Sequence, residues 1–354
     1  MKILRNYIAI QVVSATLLVL LVILSLDFLG TLLEELNDIE NDYTFTEALL
    51  YLLLIMPGKI RLWLPFAAMV GCLVGLGSLA NNSELTVMRA AGISSRRIAL
   101  IIFVPTLLLT GVAIVLNEYV APRTEQVAQA RKSLLQSGKT TVSSRFGVWN
   151  KEGNTYMHFN SVQPGGLLYG VVQYQFDRKR VLKRALFAET ATYSTSDDTW
   201  LMEKVSETAF EEDRTTSFFH ASMPWQNELT PELLDILILD PEQLSSKALL
   251  EYSKYRTEQG LNADYYMMEF WRKMFQPLSI LSLVLVAISF VFGPLREVTM
   301  GHRVFAGVLV GILFWTMQEL LGPASLVYNF TTWAAVLMPI VLCTLLGIVL
   351  LRRV

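Results

Sequence analysis

The stretch Asn82-Ser83-Glu84-Leu85-Thr86-Val87-Met88-Arg89-Ala90-Ala91-Gly92-Ile93-Ser94 lies between two long apolar runs, so it must be a short connection on one face of a membrane. Its composition is that of a helix rather than a loop. Asn82 or Ser83 can cap a helix start, and Glu84 falls in the first turn, where a carboxylate suits the helix dipole. Leu85, Met88 and Ala91 recur at near-helical spacing, and Gly92 supplies the residue after the C-cap. The expected element is an amphipathic helix over about 83–91, held in a tight membrane loop and open to a partner.

Outward from this stretch the chain is apolar. Its 354 residues are 53% hydrophobic and 17% charged, below the roughly 25% charged of soluble domains. Runs of about 20 apolar residues predict an α-helical polytopic membrane protein with six transmembrane helices. They fall at about 8–29, 62–80, 98–120, 275–292, 304–321 and 333–351. The first run is too long for a signal-peptide core and lacks a small-residue cleavage site, so it is expected to stay as an anchor. Segment 45–56 is apolar but short, and Pro57-Gly58 follows it, which predicts an interfacial helix separate from the second span.

Charge sets the orientation. The face holding both termini carries Lys2, Arg5, Arg89, Arg96, Arg97, Arg296, Arg303, Arg352 and Arg353 against Glu84 and Glu297. By the positive-inside rule that face is cytoplasmic, and the opening helix with it. The acidic connection from Glu34 to Asp42 and a domain over 122–263 then lie outside. The domain opens with a polar helix over about 123–135. Short runs rich in Val, Tyr, Phe and Thr follow at 142–149, 155–162, 167–176, 180–192, 200–205 and 217–223. Asn150-Lys151-Glu152-Gly153-Asn154, Pro164-Gly165-Gly166 and Ser196-Asp197-Asp198 read as turns between them. Short strands with turns at this spacing favour an inserted all-β, jelly-roll-like core at about 140–235. A helix at about 243–259 leads back to the membrane. The layout is therefore 1–121 with three spans, 122–263 outside, and 264–354 with three spans.

Several function classes fall away. A net charge of −2 argues against a nucleic-acid partner. Cys72 and Cys343 both sit in apolar runs, so a disulfide framework is not expected, and His158, His220 and His302 have no metal-ligand spacing. Gly138-Lys139-Thr140 resembles part of a phosphate-binding loop, but Ser133 stands where the first glycine is required, and no strand precedes it. No Ser/His/Asp set assembles from local signatures, so no catalytic residue, metal or cofactor is assigned.

Membrane-embedded polar groups say more. Asp27, Glu118 and Gln318-Glu319 lie near the outer ends of the first, third and fifth spans, where a gate or substrate role stands beside an ordinary interfacial one. Lys59, Arg61, Arg131 and Lys132 are basic groups on the otherwise acidic side. Bound phosphates would explain them, and snorkelling is the alternative.

Ser83–Ser94 resembles the cytoplasmic signature of the LptF/LptG permeases, membrane subunits of the ABC exporter that extracts lipopolysaccharide. The resemblance continues in Trp271-Arg272-Lys273-Met274-Phe275-Gln276-Pro277-Leu278, in Phe290-Val291-Phe292-Gly293-Pro294-Leu295-Arg296 and in Leu321-Gly322-Pro323-Ala324-Ser325-Leu326-Val327-Tyr328. These C-terminal motifs favour the LptG branch over the LptF branch. The resemblance implies a heterodimer with an LptF-like second permease, an LptB-like cytosolic ATPase dimer, an LptC-like single-pass protein, and lipopolysaccharide as the substrate in a central cavity. It implies ATPase coupling through Glu84, Leu85, Met88, Arg89, Ala91 and Gly92. Lipid-phosphate binding would fall to Lys59, Arg61, Arg131 and Lys132, and a gate to Asp27 and Glu319. Family members often carry a basic residue near the outer end of the first span, where this chain has Asp27 and Gly30. The alternatives are the permease of another lipid or protein ABC export system, and a membrane scaffold without transport.

Overall fold

The computed structural model describes residues 2–40, 42–137, 148–163, 166–194, 197–211, 213–227, 229–231, 233–234, 239–293, 298–328 and 330–352. Gly138-Lys139-Thr140, the start of the strand expected at 142–149, Pro164-Gly165, Ser196, Arg296, Glu297 and Arg353 lie outside them.

Among the described residues, six helices are long and apolar enough to cross a membrane. Helix α1 is Lys2–Asn37, α2 is Phe45–Asn81, and the short α3 is Glu84–Ala90. Helix α4 (Ser95–Val115) passes through a π-helical turn, Leu116–Val120, into α5 (Ala121–Ser137). After the β-domain come α6 (Ser246–Glu258), α7 (Asp264–Phe292), α8 (Met300–Tyr328) and α9 (Thr332–Arg352). Six crossings put both termini and α3 at one end of the bundle and the β-domain at the other.

In α2 and α7, 67% of the apolar window is buried inside the chain, against 22% in α1 and 17% in α8. Helices α2 and α7 are therefore the core of the bundle, and α1 and α8 its flanks. The tightest packing joins α1 to α2. A Cβ on Gly71 would lie 2.4 Å from the Thr16 Cα, and one on Gly75 would lie 3.1 Å from the Val12 Cα. Gly71-Cys72-Leu73-Val74-Gly75 is thus a small-residue seam that lets two backbones approach, the usual means of pairing helices where lipid removes the hydrophobic drive.

One expected helix break is absent. Residues 45–56 do not form a separate interfacial helix: α2 runs on through Pro57 and Pro65. Proline costs a helix one hydrogen bond, and the packing of α2 against α1, α5 and α7 outweighs that loss. Gly58 serves packing rather than a break, since a Cβ there would lie 1.9 Å from the Glu125 Oε1. Likewise, the third span and the polar helix after it are continuous from Ser95 to Ser137 apart from the π-turn.

The ends of α1 and α5 and the start of α2 consequently extend together as a three-helix stalk. Leu52, Ile55 and Ala128 fill its centre. Polar staples close it. Lys132 pairs with Glu35 at 2.7 Å and Asp38 at 2.9 Å, while Arg131 forks onto Glu47 at 2.5 and 2.8 Å. The Tyr43 hydroxyl donates to the Glu35 carboxylate at 2.8 Å. Burial, followed by that hydrogen bond, raises the phenol above its ordinary range, so Tyr43 stays a donor. Lys132→Met should destabilise the protein by about 3 kcal/mol, because Glu35 is left buried without its cation. The thermal midpoint in detergent measures this, and Lys132→Met/Glu35→Gln should recover part of the loss.

The β-domain contains β1 (Val148–Glu152), β2 (Thr155–Gln163), β3 (Leu167–Phe176), β4 (Leu182–Ser194), β5 (Thr199–Phe210) and β6 (Thr215–Trp225). All neighbours are antiparallel, in the order β1-β2-β3-β4-β5-β6. The inserted all-β domain is present, but its described strands form one meander, without the Greek-key crossing of a jelly roll. Strands consecutive in sequence are neighbours throughout, so no described strand needs to cross. Met157, Phe159, Leu168, Val171, Trp200 and Met202 alternate onto one face and pack with Leu229 and Leu234 from the returning segment.

On the sheet, Glu207 pairs with Arg184 at 2.5 Å and with His220 at 3.2 Å. Arg184, first, and His220 hold its carboxyl below the ordinary range. A depressed folded value means that the stabilisation is present above the unfolded pKa of about 4.3 and is lost as pH falls through the folded value. Glu207→Gln should therefore flatten the acid limb of the pH–stability curve below about pH 4.

Candidate functional site

Two places combine exposure with built chemistry. The first is α3. Its helix ends as expected: Gly92 has φ +88°, its N–H donates to the Arg89 carbonyl at 3.0 Å, and the Ile93 N–H donates to the Met88 carbonyl at 3.1 Å. This is a Schellman closure. The start differs, because Ser83 is left-handed at φ 61° and makes no side-chain cap. Asn82 instead reaches the Glu84 carboxylate at 3.5 Å.

Leu85 and Met88 are only 5% and 8% exposed and belong to the membrane-bundle core. They fasten α3 to the bundle, while Thr86, Val87, Ala90, Ala91 and Gly92 are exposed and Glu84 and Arg89 half-buried. The family resemblance grouped Leu85 and Met88 with the coupling residues. Only packing shows which stripe of so short a helix is turned inward. The Tyr7 hydroxyl of α1 lies near enough to interact with the Glu84 carboxylate, placing α3 beside the first span. Beside it the buried Arg303 of α8 donates to the Gly77 carbonyl at 3.2 Å and to Asn81 at 3.4 Å, covering the C-terminal carbonyls of α2.

The second place is a cavity of about 330 Å³ between α2, α7 and α8 at the end nearest the β-domain. Its roof is charged: Arg61, Glu242, Glu269, Arg272 and Glu319. Its floor is apolar: Phe66, Leu283, Phe314 and Trp315. Arg272 bonds to Glu269 at 2.8 Å, Glu319 at 3.3 Å and the Gln318 carbonyl at 3.2 Å. Arg61 donates to the Glu242 carbonyl at 3.0 Å, and its Nε is buried with no hydrogen-bond partner among the described residues. Gln276 donates to the Arg61 carbonyl at 3.0 Å. The cavity thus sets a polar, charged roof over an apolar floor.

The four expected basic residues do not form one group. Arg61 lies in the cavity with Glu319. Arg131 and Lys132 are stalk staples. Lys59 pairs with Asp27 at 3.1 Å, and the Trp63 indole also donates to Asp27 at 3.0 Å, joining the outer end of α1 to α2. Glu118 accepts the Ser246 and Lys247 N–H groups at 3.0 and 3.4 Å, which caps the start of α6. Sequence reading missed Glu269, Arg272 and Gln276 as site residues. Their i, i+3, i+7 spacing resembles the polar flank of any spanning helix, and only α8 brings Glu319 against Arg272.

A polytopic helical membrane protein, with an inserted antiparallel β-domain and a fastened helix at its termini end, is the class these features define. The chain belongs to the family described as lipopolysaccharide export system permease LptF/LptG, which matches residues 6–353. It is 32% identical over 353 residues to the lipopolysaccharide export system permease protein LptG of Escherichia coli K12, covering 99% of this chain and 98% of that protein. It is also 32% identical over 337 residues to the protein of the same name from Haemophilus influenzae, covering 95% of this chain and 94% of that protein.

Proposed function

We propose that this chain is the LptG-type permease subunit of an exporter that extracts lipopolysaccharide from the bacterial inner membrane and hands it to a periplasmic bridge. Both termini and α3 are cytoplasmic, and the β-domain is periplasmic. An LptB-like ATPase dimer supplies energy through α3, an LptF-like permease covers the exposed apolar flanks of α1 and α8, and an LptC-like single-pass protein contacts α1. The permease itself catalyses no reaction. The observation that carries this reading is α3, a short exposed helix fastened by Leu85 and Met88 so that a push on it moves the bundle. Copurification tests it: an ATPase and a second permease should come down with the tagged chain, and the ATPase should hydrolyse ATP faster in the complex. A chain recovered alone, or with no effect on hydrolysis, would sink the proposal.

The lipid phosphates are proposed to meet Arg61 and Lys59, with Arg131 and Lys132 further out on the stalk and Asp27 and Glu319 at the gate. Neutralising Lys59 and Arg61 together should lower photocrosslinking from position 66 to a phosphorylated lipid by about fivefold. Unchanged crosslinking would move the phosphate contacts elsewhere.

A further inference from the structure

The face of the sheet opposite its core holds a cavity of about 470 Å³ at the end formed by the β1–β2 and β3–β4 turns. Paired residues in an antiparallel sheet share a face, and the register pairs Trp149 with His158, Lys151 with Tyr156, and Tyr156 with Tyr174. The solvent side, normally polar in a one-sided sheet, is aromatic here. Trp149 is 60% exposed and Tyr156 41% exposed. The Lys151 ammonium lies 5.5 Å from the centre of the Tyr156 ring, and Phe176 meets the same ring edge-on at 5.5 Å.

The β3–β4 turn adds charge. Its one carboxylate, Asp177, is engaged within the turn, accepting the Lys179 N–H at 2.7 Å and the Val181 N–H at 2.9 Å. Arg180 sits at φ 60°, a left-handed position that closes the turn. Arg178 and Arg180 line the cavity with Lys151, and among the described residues no ion pair joins these three to a carboxylate. Stacking rings beside uncompensated cations match one kind of ligand: flat apolar sugar faces carrying phosphate.

We propose that this patch is a docking subsite for a phosphorylated saccharide, with sugar rings on Trp149 and Tyr156 and phosphate on Lys151, Arg178 and Arg180. The proposal rests on the lipopolysaccharide reading and deepens it. The lipid part would be held in the membrane cavity, and the saccharide part would meet the outer face of the β-domain.

The test uses the full-length chain in nanodiscs. The probe is a phosphorylated core oligosaccharide freed of its acyl chains, and its binding is read by isothermal titration calorimetry, which needs no reporter group in the site. Binding should weaken about tenfold in Trp149→Ala, and about tenfold in Lys151→Ala/Arg180→Ala. The cation variant should lose its disadvantage when the oligosaccharide is dephosphorylated. Equal binding by Trp149→Ala, or equal binding of inorganic phosphate or a polyglutamate peptide, would overturn the proposal. Crosslinking of whole lipopolysaccharide at position 66 is measured in parallel. Normal crosslinking without oligosaccharide binding overturns only this subsite, whereas loss of both counts against the export reading.

Discussion

Glu84→Ala leaves the chain inserted and folded but weakens its association with the ATPase by at least about tenfold, roughly 1.4 kcal/mol, and lipid export falls with it. Glu84 is half-buried at the first turn of a helix whose inward side is already taken by Leu85 and Met88. A carboxylate placed there can meet a basic or hydrogen-bonding group across an interface, and such charge-assisted contacts are the stronger ones. The nearness of the Tyr7 hydroxyl creates a competing explanation, namely that Glu84 merely fixes α3 to α1. Tyr7→Phe separates the two: it removes that hydroxyl and keeps the carboxylate. ATPase association in Tyr7→Phe should stay within about twofold of the parent. If Tyr7→Phe loses as much as Glu84→Ala, the carboxylate acts within the chain, and the docking role fails.

Gly71→Leu should be more damaging still, lowering the thermal midpoint sharply and abolishing recovery of folded protein. The position a Cβ would need is 2.4 Å from the Thr16 Cα and 2.7 Å from its backbone nitrogen, so main chain rather than a flexible side chain must move. Overpacking typically costs about 1–3 kcal/mol, and a whole side chain in this seam goes beyond that because α1 must part from α2 along its length. Gly111→Leu is the control, in a spanning helix where nothing lies within 4 Å of the added Cβ. It should behave like the parent. Equal midpoints for the two variants would mean that the seam does not hold α1.

How much of this was legible depends on the range of the interaction. Span number, the inserted β-domain and the Gly92 helix end follow from local composition and periodicity, which the chain carries within a window of a few turns. The run through Pro57 was not legible. Proline is a local break signal, and what overrides it is the contact of α2 with three other helices. The scattering of Lys59, Arg61, Arg131 and Lys132 was hidden for a related reason. Their sign and side of the membrane are readable from sequence, but Asp27, Glu35 and Glu47 become partners only when α1, α2 and α5 pack as a stalk.

By itself, then, the sequence determined where the chain crosses the membrane, which segment forms an ordered helix between spans, and which family the chain resembles. These depend on hydropathy, capping and motif, all properties of neighbouring residues. The tertiary structure alone decided which stripe of that helix faces outward, which cations are already neutralised, and that Arg61, Arg272 and Glu319 share one cavity. Those outcomes depend on contacts between residues tens to hundreds of positions apart, where the cost of an unpaired buried charge selects the partner and no local pattern records it.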